Sequence, residues 1–223
     1  TRWPLYVALL FVRKVFSASV AGMPLATQKN VVTGHGIDVT RFVPGSGERE
    51  PGLLVTVGRV TRAKRLGALL RALTALPAHF HLTIIGVPIT QDDQDVIREM
   101  DDFIRRHALK RRVAVTALPQ EEIVPILQRA EVFLSASATS LDKALLEAMA
   151  CGCLVVASST AAEAVLPPIC RCTDATMAET VQHLLALPER EREELRQDLQ
   201  RRVEQDHSLG KLIERLVGEM TPL

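Results

Sequence analysis

The chain has 223 residues, 47% of them hydrophobic, and a net charge of +1. That length buries one large core, or one domain plus a fragment of another. With no basic block, one Trp and one Tyr, it offers no stacking platform for bases, so nucleic acid is not an expected partner. The sequence opens on Thr1, and the expectation is a fragment or a processed product.

Residues 3–12 are uniformly apolar and are followed by Arg13 and Lys14. A membrane span needs about 20 such residues, and a signal peptide carries its charges before the apolar run. The segment is expected to be a core or interdomain helix, with an interfacial membrane helix as the alternative. Strands are expected at 14–19 and 30–33. Residues 44–51, Pro-Gly-Ser-Gly-Glu-Arg-Glu-Pro, read as a loop of breakers leading into the main domain. Residues 1–45 are too few to make a domain alone.

From residue 53, short apolar strands alternate with amphipathic helices. Strands are expected at 53–57, 82–85, 113–116, 132–135, 154–157 and 169–172. Several lack polar alternation, as strands covered on both faces do. Leu66, Leu69, Leu70, Leu73 and Leu76 mark one helix face; Val96, Ile97, Met100 and Ile104 mark a second, and Ile123, Ile126 and Leu127 a third. The rhythm predicts an α/β fold, a Rossmann-like doubly wound parallel sheet. Ligands of such sheets bind beyond the carboxyl ends of the strands, near a topological switch point. The charge-dense stretch 189–205 reads as a surface helix laced with ion pairs. Leu212, Ile213, Leu216, Val217 and Met220 mark a final amphipathic helix.

Residues 139–158 carry most of the functional information. They read as a helix, a glycine stop and a buried strand. Ala144, Leu145, Leu146, Ala148, Met149 and Ala150 surround the helix on every side, so it must be buried. Glu147 sits in its middle, and a carboxylate there is costly unless hydrogen-bonded. Lys143 lies at the positive end of the helix dipole, where a cation is unfavourable. A bound anion at that end and hydroxyls against Glu147 would relieve both. The stretch 57–64, Val-Gly-Arg-Val-Thr-Arg-Ala-Lys, follows the first main strand. Gly58 there permits close approach of a ligand, Arg59 offers a planar fork for phosphate oxygens and Lys64 a mobile point charge. Taken alone, such a basic turn reads equally well as a solvated surface loop.

Four cysteines form two Cys-x-Cys pairs, Cys151/Cys153 and Cys170/Cys172. Structural zinc sites use a wider gap, so reduced, buried thiols are expected. The six histidines show no spacing that suggests a metal site, and structural roles are expected for each.

Together these segments resemble the donor-binding half of glycosyltransferase family 4, retaining enzymes of the glycosyltransferase-B fold. Three blocks carry the resemblance: Gly34-His35-Gly36-Ile37-Asp38 followed by Arg41-Phe42-Val43-Pro44; Val57-Gly58-Arg59 with Lys64; and Leu146-Glu147-Ala148-Met149-Ala150-Cys151-Gly152 followed by Leu154-Val155-Val156-Ala157-Ser158. The resemblance implies that residues 46–223 form a nucleotide-sugar-binding domain and that 1–45 are the trailing part of an N-terminal domain with its linker. It implies that Gly58, Arg59 and Lys64 meet the donor diphosphate, with Arg59 and Lys64 stabilising the charge on the leaving group. Main-chain amides at Leu141, Asp142 and Lys143 would meet phosphate or sugar, Glu147 the ribose hydroxyls, and the loop of Leu118 the base. The donor is a substrate, so no separate cofactor and no metal are implied. The acceptor is an unspecified glycan, lipid or small molecule, and the location cytoplasmic, with peripheral membrane contact of the intact protein left open.

The departures from the family pattern are specific. Thr139 replaces the first acidic residue of the family's Glu-x7-Glu pair, and Ser140-Leu141-Asp142 replaces its Gly-Phe-Gly turn. Arg65 stands where a glycine is usual, and residues 159–163 lack a glycine pair. Thr139 and Ser140 suit an N-cap as well as a ligand contact. The expected function is transfer of a sugar from a nucleotide-diphospho-sugar, by a chain that is poorly active alone. A non-catalytic nucleotide-sugar-binding module and a nucleotide-sugar epimerase are the alternatives.

Overall fold

The computed structural model describes residues 3–138 and 141–220. Five strands make the central sheet: β3 (Leu53–Val57), β4 (His81–Ile85), β5 (Val113–Thr116), β6 (Val132–Ser135) and β7 (Leu154–Ala157). They lie in the order β5-β4-β3-β6-β7, all parallel. The chain builds outward from β3 in one direction and then returns to its other side. That reversal between β3 and β6 is a topological switch point, where a crevice opens beyond the strand ends.

The burial pattern follows from strand position. Every residue of β3, β6 and β7 is buried, which is why these strands read as unbroken apolar runs. At the far edge, β5 leaves Ala114 and Val115 exposed. The helices α2 (Leu66–Ala75), α3 (Gln91–Arg106), α4 (Gln120–Arg129) and α5 (Lys143–Ala150) connect successive strands. Leu66, Leu69, Leu70, Leu73 and Leu76, the face expected from sequence, are all buried. A capping box starts α3: the Thr90 hydroxyl accepts from the Asp93 amide, and the Asp93 carboxylate accepts from the Thr90 amide. After β7 come α6 (Met177–Ala186), α7 (Glu189–Asp206) and α8 (Leu209–Met220). Helix α5 packs against α7, and α2 against α3 and α6.

Upstream, α1 (Trp3–Phe11) precedes a short parallel pair, β1 (Val15–Ser17) and β2 (Asn30–Val32). The segment that follows is stitched to the end of α7. Ile37 is fully buried, its amide donates to the His207 carbonyl at 2.8 Å, and the Leu209 amide returns to the Ile37 carbonyl at 2.8 Å. Asp38 closes the next turn by accepting from the Thr40 amide at 3.0 Å, and Phe42 enters the core. Among the described residues, no helix is long and apolar enough to cross a membrane.

Two expectations need correction, and one helix lies outside them. Residues 169–172 do not form a strand; a 3-10 turn, Pro168–Cys170, leads to a single bridge between Arg171 and Ala157. The turn that starts at Pro167-Pro168 takes the amides of Cys170 and Arg171 onto the carbonyls of Pro167 and Pro168, so they cannot feed a ladder. Helix α1 has no residue buried against the rest of this chain, and Trp3, Leu10 and Phe11 are 70%, 78% and 84% exposed, so it is not part of the core that this chain builds. Finally, α6 goes unmarked in the sequence, although Met177, Ala178, Val181 and Leu184 bury one of its faces.

Candidate functional site

The crevice beyond β3 and β6 is built around a crowded glycine. Gly58 ends β3 with φ of +133°, and a Cβ there would lie 2.6 Å from the Lys64 Nζ. One loop over, a Cβ on Gly86 would lie 2.0 Å from the Gly58 carbonyl oxygen. The loops after β3 and β4 therefore touch backbone to backbone, and the Lys64 stem folds back across the first. Its ammonium donates to the Val57 carbonyl at 3.1 Å and to the Asp142 carboxylate at 2.7 Å.

Arg65 follows in the left-handed region, φ 47°, a conformation costing a non-glycine residue roughly 1–2 kcal/mol. This backbone demand accounts for glycine being usual here. The arginine offsets it with its side chain, which donates to the Ala136 carbonyl at 2.6 Å and to the Ser158 hydroxyl at 3.2 Å and pairs with Asp174 at 3.1 Å. It thereby ties together the carboxyl ends of β6 and β7.

Arg59 is half exposed and lies 3.8 Å from the Asp93 carboxylate. Asp93 is buried, and its carboxyl is held below the usual range chiefly by the amides of Thr90 and Ile89, with Arg59 contributing least. The guanidinium is loosely held and able to reorient.

Helix α5 starts at Lys143, with Asp142 as its N-cap accepting from the Ala144 amide at 3.3 Å. Residues 144–150 are all buried, as the sequence requires. The Glu147 carboxyl is pushed upward by burial, against the pull of Lys143. Lys143 Nζ stands 3.8 Å from it, and among the described residues no hydrogen bond reaches that carboxylate. Lys143 is relieved partly from within, by Glu147 one turn later at 3.8 Å, so a bound anion is not the sole means of relieving its position.

A cleft of about 330 Å³ lies at this mouth. His35, Arg59, Lys64, Ser137, Leu141, Asp142 and Lys143 all line it. Gly58 and Glu147 stand beside the cleft but are not among its lining residues, and Leu118 is half buried on the loop after β5, also outside it. Thr139 and Ser140 fall outside the described residues. His35, for which a structural role was expected, also lines the cleft, and its Nε2 lies 3.0 Å from the Leu141 carbonyl, tying residues 34–36 to it. Sequence reasoning overlooked Asp93. The signal for it was the Thr90-x-x-Asp93 capping pattern at the start of α3.

Among the described residues no group of three or more His, Cys, Asp or Glu could hold a metal ion. The four cysteines are free, and burial pushes each thiol up to about 12. A larger cleft, about 550 Å³, opens at the opposite edge between residues 44–49 and α7. Its arginines are engaged by the protein: Arg49 donates to the carbonyls of Leu127, Ala130, Cys151 and Gly152, and Arg196 to Glu189 and Glu193.

The family model described as glycosyl transferases group 1 matches residues 51–201, more than half of the chain. The chain belongs to this family. Among solved structures, the group 1 domain is similar to Anabaena HepE, in complex with UDP and glucose, at 16% identity and a TM-score of 0.87. The alignment covers 100% of this chain and 66% of HepE. Sucrose-phosphate synthase from Thermosynechococcus elongatus matches at 18% identity and a TM-score of 0.82, covering 98% and 61% of the two chains. Staphylococcus aureus TarM matches at 12% identity and a TM-score of 0.81, covering 98% and 46%. At these identities the likeness shows a shared glycosyltransferase-B-type α/β fold. The chain spans two thirds or less of each of these structures. No curated protein matches the chain significantly.

Proposed function

We propose that this chain is the donor-binding half of a retaining glycosyltransferase of family 4, transferring a sugar from a nucleotide-diphospho-sugar. In this reading residues 46–223 bind the donor and residues 1–45 belong to the end of an N-terminal domain. One observation carries it: Arg59, Lys64 and the start of α5 converge on a single open cleft at the switch point of the sheet. The HepE structures, which hold UDP, glucose or UDP-glucose, support a uridine nucleotide as the first donor to try.

Glycosyl transfer breaks the bond between the anomeric carbon and a phosphate oxygen. Negative charge grows on the departing diphosphate while the sugar becomes oxocarbenium-like. Arg59 and Lys64 stand where a diphosphate in the cleft would lie, and amides at residues 141–143 would add dipoles to the same charge. Losing one such donor costs roughly a hundredfold in rate. Glu147, buried and lacking a hydrogen bond among the described residues, would accept the ribose hydroxyls that its environment needs. It orients the donor and does not act as acid or base.

The donor is a substrate, and the acceptor is a glycan, lipid or small molecule held largely by chain not present here. A cytoplasmic location, with peripheral contact at the inner face of a membrane, belongs to the same reading. The test is a titration with UDP, GDP and ADP, repeated on Arg59→Ala and Glu147→Ala. One nucleotide should bind and both variants should weaken it at least tenfold; equal affinity in all three proteins would refute the reading.

A further inference from the structure

We infer that Asp142 is an internal counter-anion, set beside Lys64 at the position a phosphate would take, and that a nucleoside diphosphate must displace it to bind. The inference rests on the diphosphate reading above and concerns what sets affinity at that site.

The donors around Asp142 are those a phosphate would need. One carboxylate oxygen takes the Lys64 ammonium at 2.7 Å and the Ser135 hydroxyl at 3.1 Å, and the other takes the Ala144 amide at 3.3 Å. A cation, a hydroxyl and a helix-start amide converging on two oxygens make an anion-binding position, and here the chain fills it with its own side chain. Both partners are largely buried, 18% exposed for the Lys64 side chain and 8% for that of Asp142, so solvent screens the pair only in part.

The other two cations of the cleft differ. Arg59 is 55% exposed and 3.8 Å from its carboxylate, and Lys143 is 54% exposed and also 3.8 Å from its own. Each is held by one long contact and turns toward a ligand more readily than Lys64, which cannot leave its 2.7 Å contact with Asp142 without leaving a largely buried carboxylate uncompensated. A diphosphate entering the cleft meets two willing cations and a third already neutralised, with a like charge behind it. Binding therefore exchanges one anion for another at Lys64. The incoming phosphate takes over the ammonium and the Ala144 amide, and the aspartate turns outward.

Asp142 stands at a position where the resembling family usually has glycine, which has no side chain to fill the cradle. The residue is thus an affinity-setting element, and its removal should strengthen diphosphate binding.

Asp142→Asn is the informative substitution. Its amide oxygen still caps α5 and its size is unchanged, while the charge is gone. UDP, GDP and ADP are titrated into the wild-type chain, Asp142→Asn, Asp142→Ser, Lys64→Ala and the double variant Lys64→Ala/Asp142→Asn. The nucleotide that binds the wild type should bind Asp142→Asn and Asp142→Ser at least tenfold tighter. In the Lys64→Ala background the same substitution should gain threefold or less. Unchanged or weaker binding by both Asp142 variants, with Arg59→Ala still binding more weakly than the wild type, overturns the inference and leaves the diphosphate site standing. Failure of both Asp142 variants to fold overturns it too, because the carboxylate would then be a structural necessity. No binding of any nucleotide by any protein overturns the inference and the site together.

Discussion

The Arg65 guanidinium, carried by a residue at φ 47°, reaches across the carboxyl edge of the sheet to lie 3.1 Å from the Asp174 carboxylate. Between them stands Ser158, whose hydroxyl accepts from Arg65 and donates to Asp174 at 2.6 Å. A residue unsuited to its backbone conformation is retained because its side chain fastens three segments that frame the cleft.

Substitution separates those two effects. Arg65→Ala keeps the unfavourable φ and loses every side-chain contact, so it should destabilise by about 2–3 kcal/mol. Arg65→Gly loses the same contacts but relieves the backbone, and should be more stable than the alanine variant by about 1 kcal/mol. Urea unfolding of the three proteins reads both differences. Equal stability for alanine and glycine would contradict the account of this position.

The glycine crowding makes a second prediction. Gly58→Ala places a Cβ 2.6 Å from the Lys64 ammonium at φ +133°, which should destabilise by about 1–3 kcal/mol and weaken nucleotide binding at least tenfold by pushing Lys64 aside. Gly86→Ala meets backbone 2.0 Å away instead of a movable side chain, and should cost more stability. Thermal melts and titrations on the pair test the order; a Gly58→Ala protein indistinguishable from wild type in both would refute it.

Glu147 predicts a pH signature. Burial raises its carboxyl in the folded chain above the ordinary value, so the folded state binds protons more readily than the unfolded one. The penalty for ionising it is absent below the ordinary carboxylate range and grows as pH rises from that range toward the folded pKa. Glu147→Gln should then be more stable than wild type at neutral pH, and the gap should close as pH falls through the carboxylate range. It should also bind nucleotide less well, a trade between stability and function. Urea midpoints measured against pH decide the matter, and a gap that widens on acidification would contradict it.

Arg49 supplies the control. It donates to four carbonyls at the amino edge, at 2.7–3.1 Å, remote from the cleft. Arg49→Met should cost about 2–4 kcal/mol, because several partly buried carbonyls lose a charged donor, and should leave nucleotide affinity within twofold of wild type. A large loss of affinity in a folded Arg49→Met protein would show that the site is less local than described.

The sheet was legible because its strands are buried runs bounded by breakers: β3, β5, β6 and β7 fall on the expected residues. The stretch 169–172, Ile-Cys-Arg-Cys, misled because three of its four residues suit a strand, while the turn begun by the two prolines before it decides its path. Helix α1 misled in the opposite sense, since an apolar run says that a segment prefers cover but not that this chain provides it. At the cleft, the residue types pointed to Arg59, Lys64 and α5. The pairing of Lys64 with Asp142 joins residues 78 apart in sequence, and no local pattern announces such a contact. The same holds for Arg59 with Asp93 and for Arg65 with Ser158.

The central claim is that a diphosphate binds where Arg59, Lys64 and the start of α5 meet. The most direct test is calorimetric titration of UDP, GDP and ADP into the wild-type chain and the Arg59→Ala and Lys64→Ala variants. The account predicts that one of the three nucleotides binds the wild type and that each variant loses at least tenfold in affinity. Binding that is absent in the wild type, or unchanged in both variants, would contradict it.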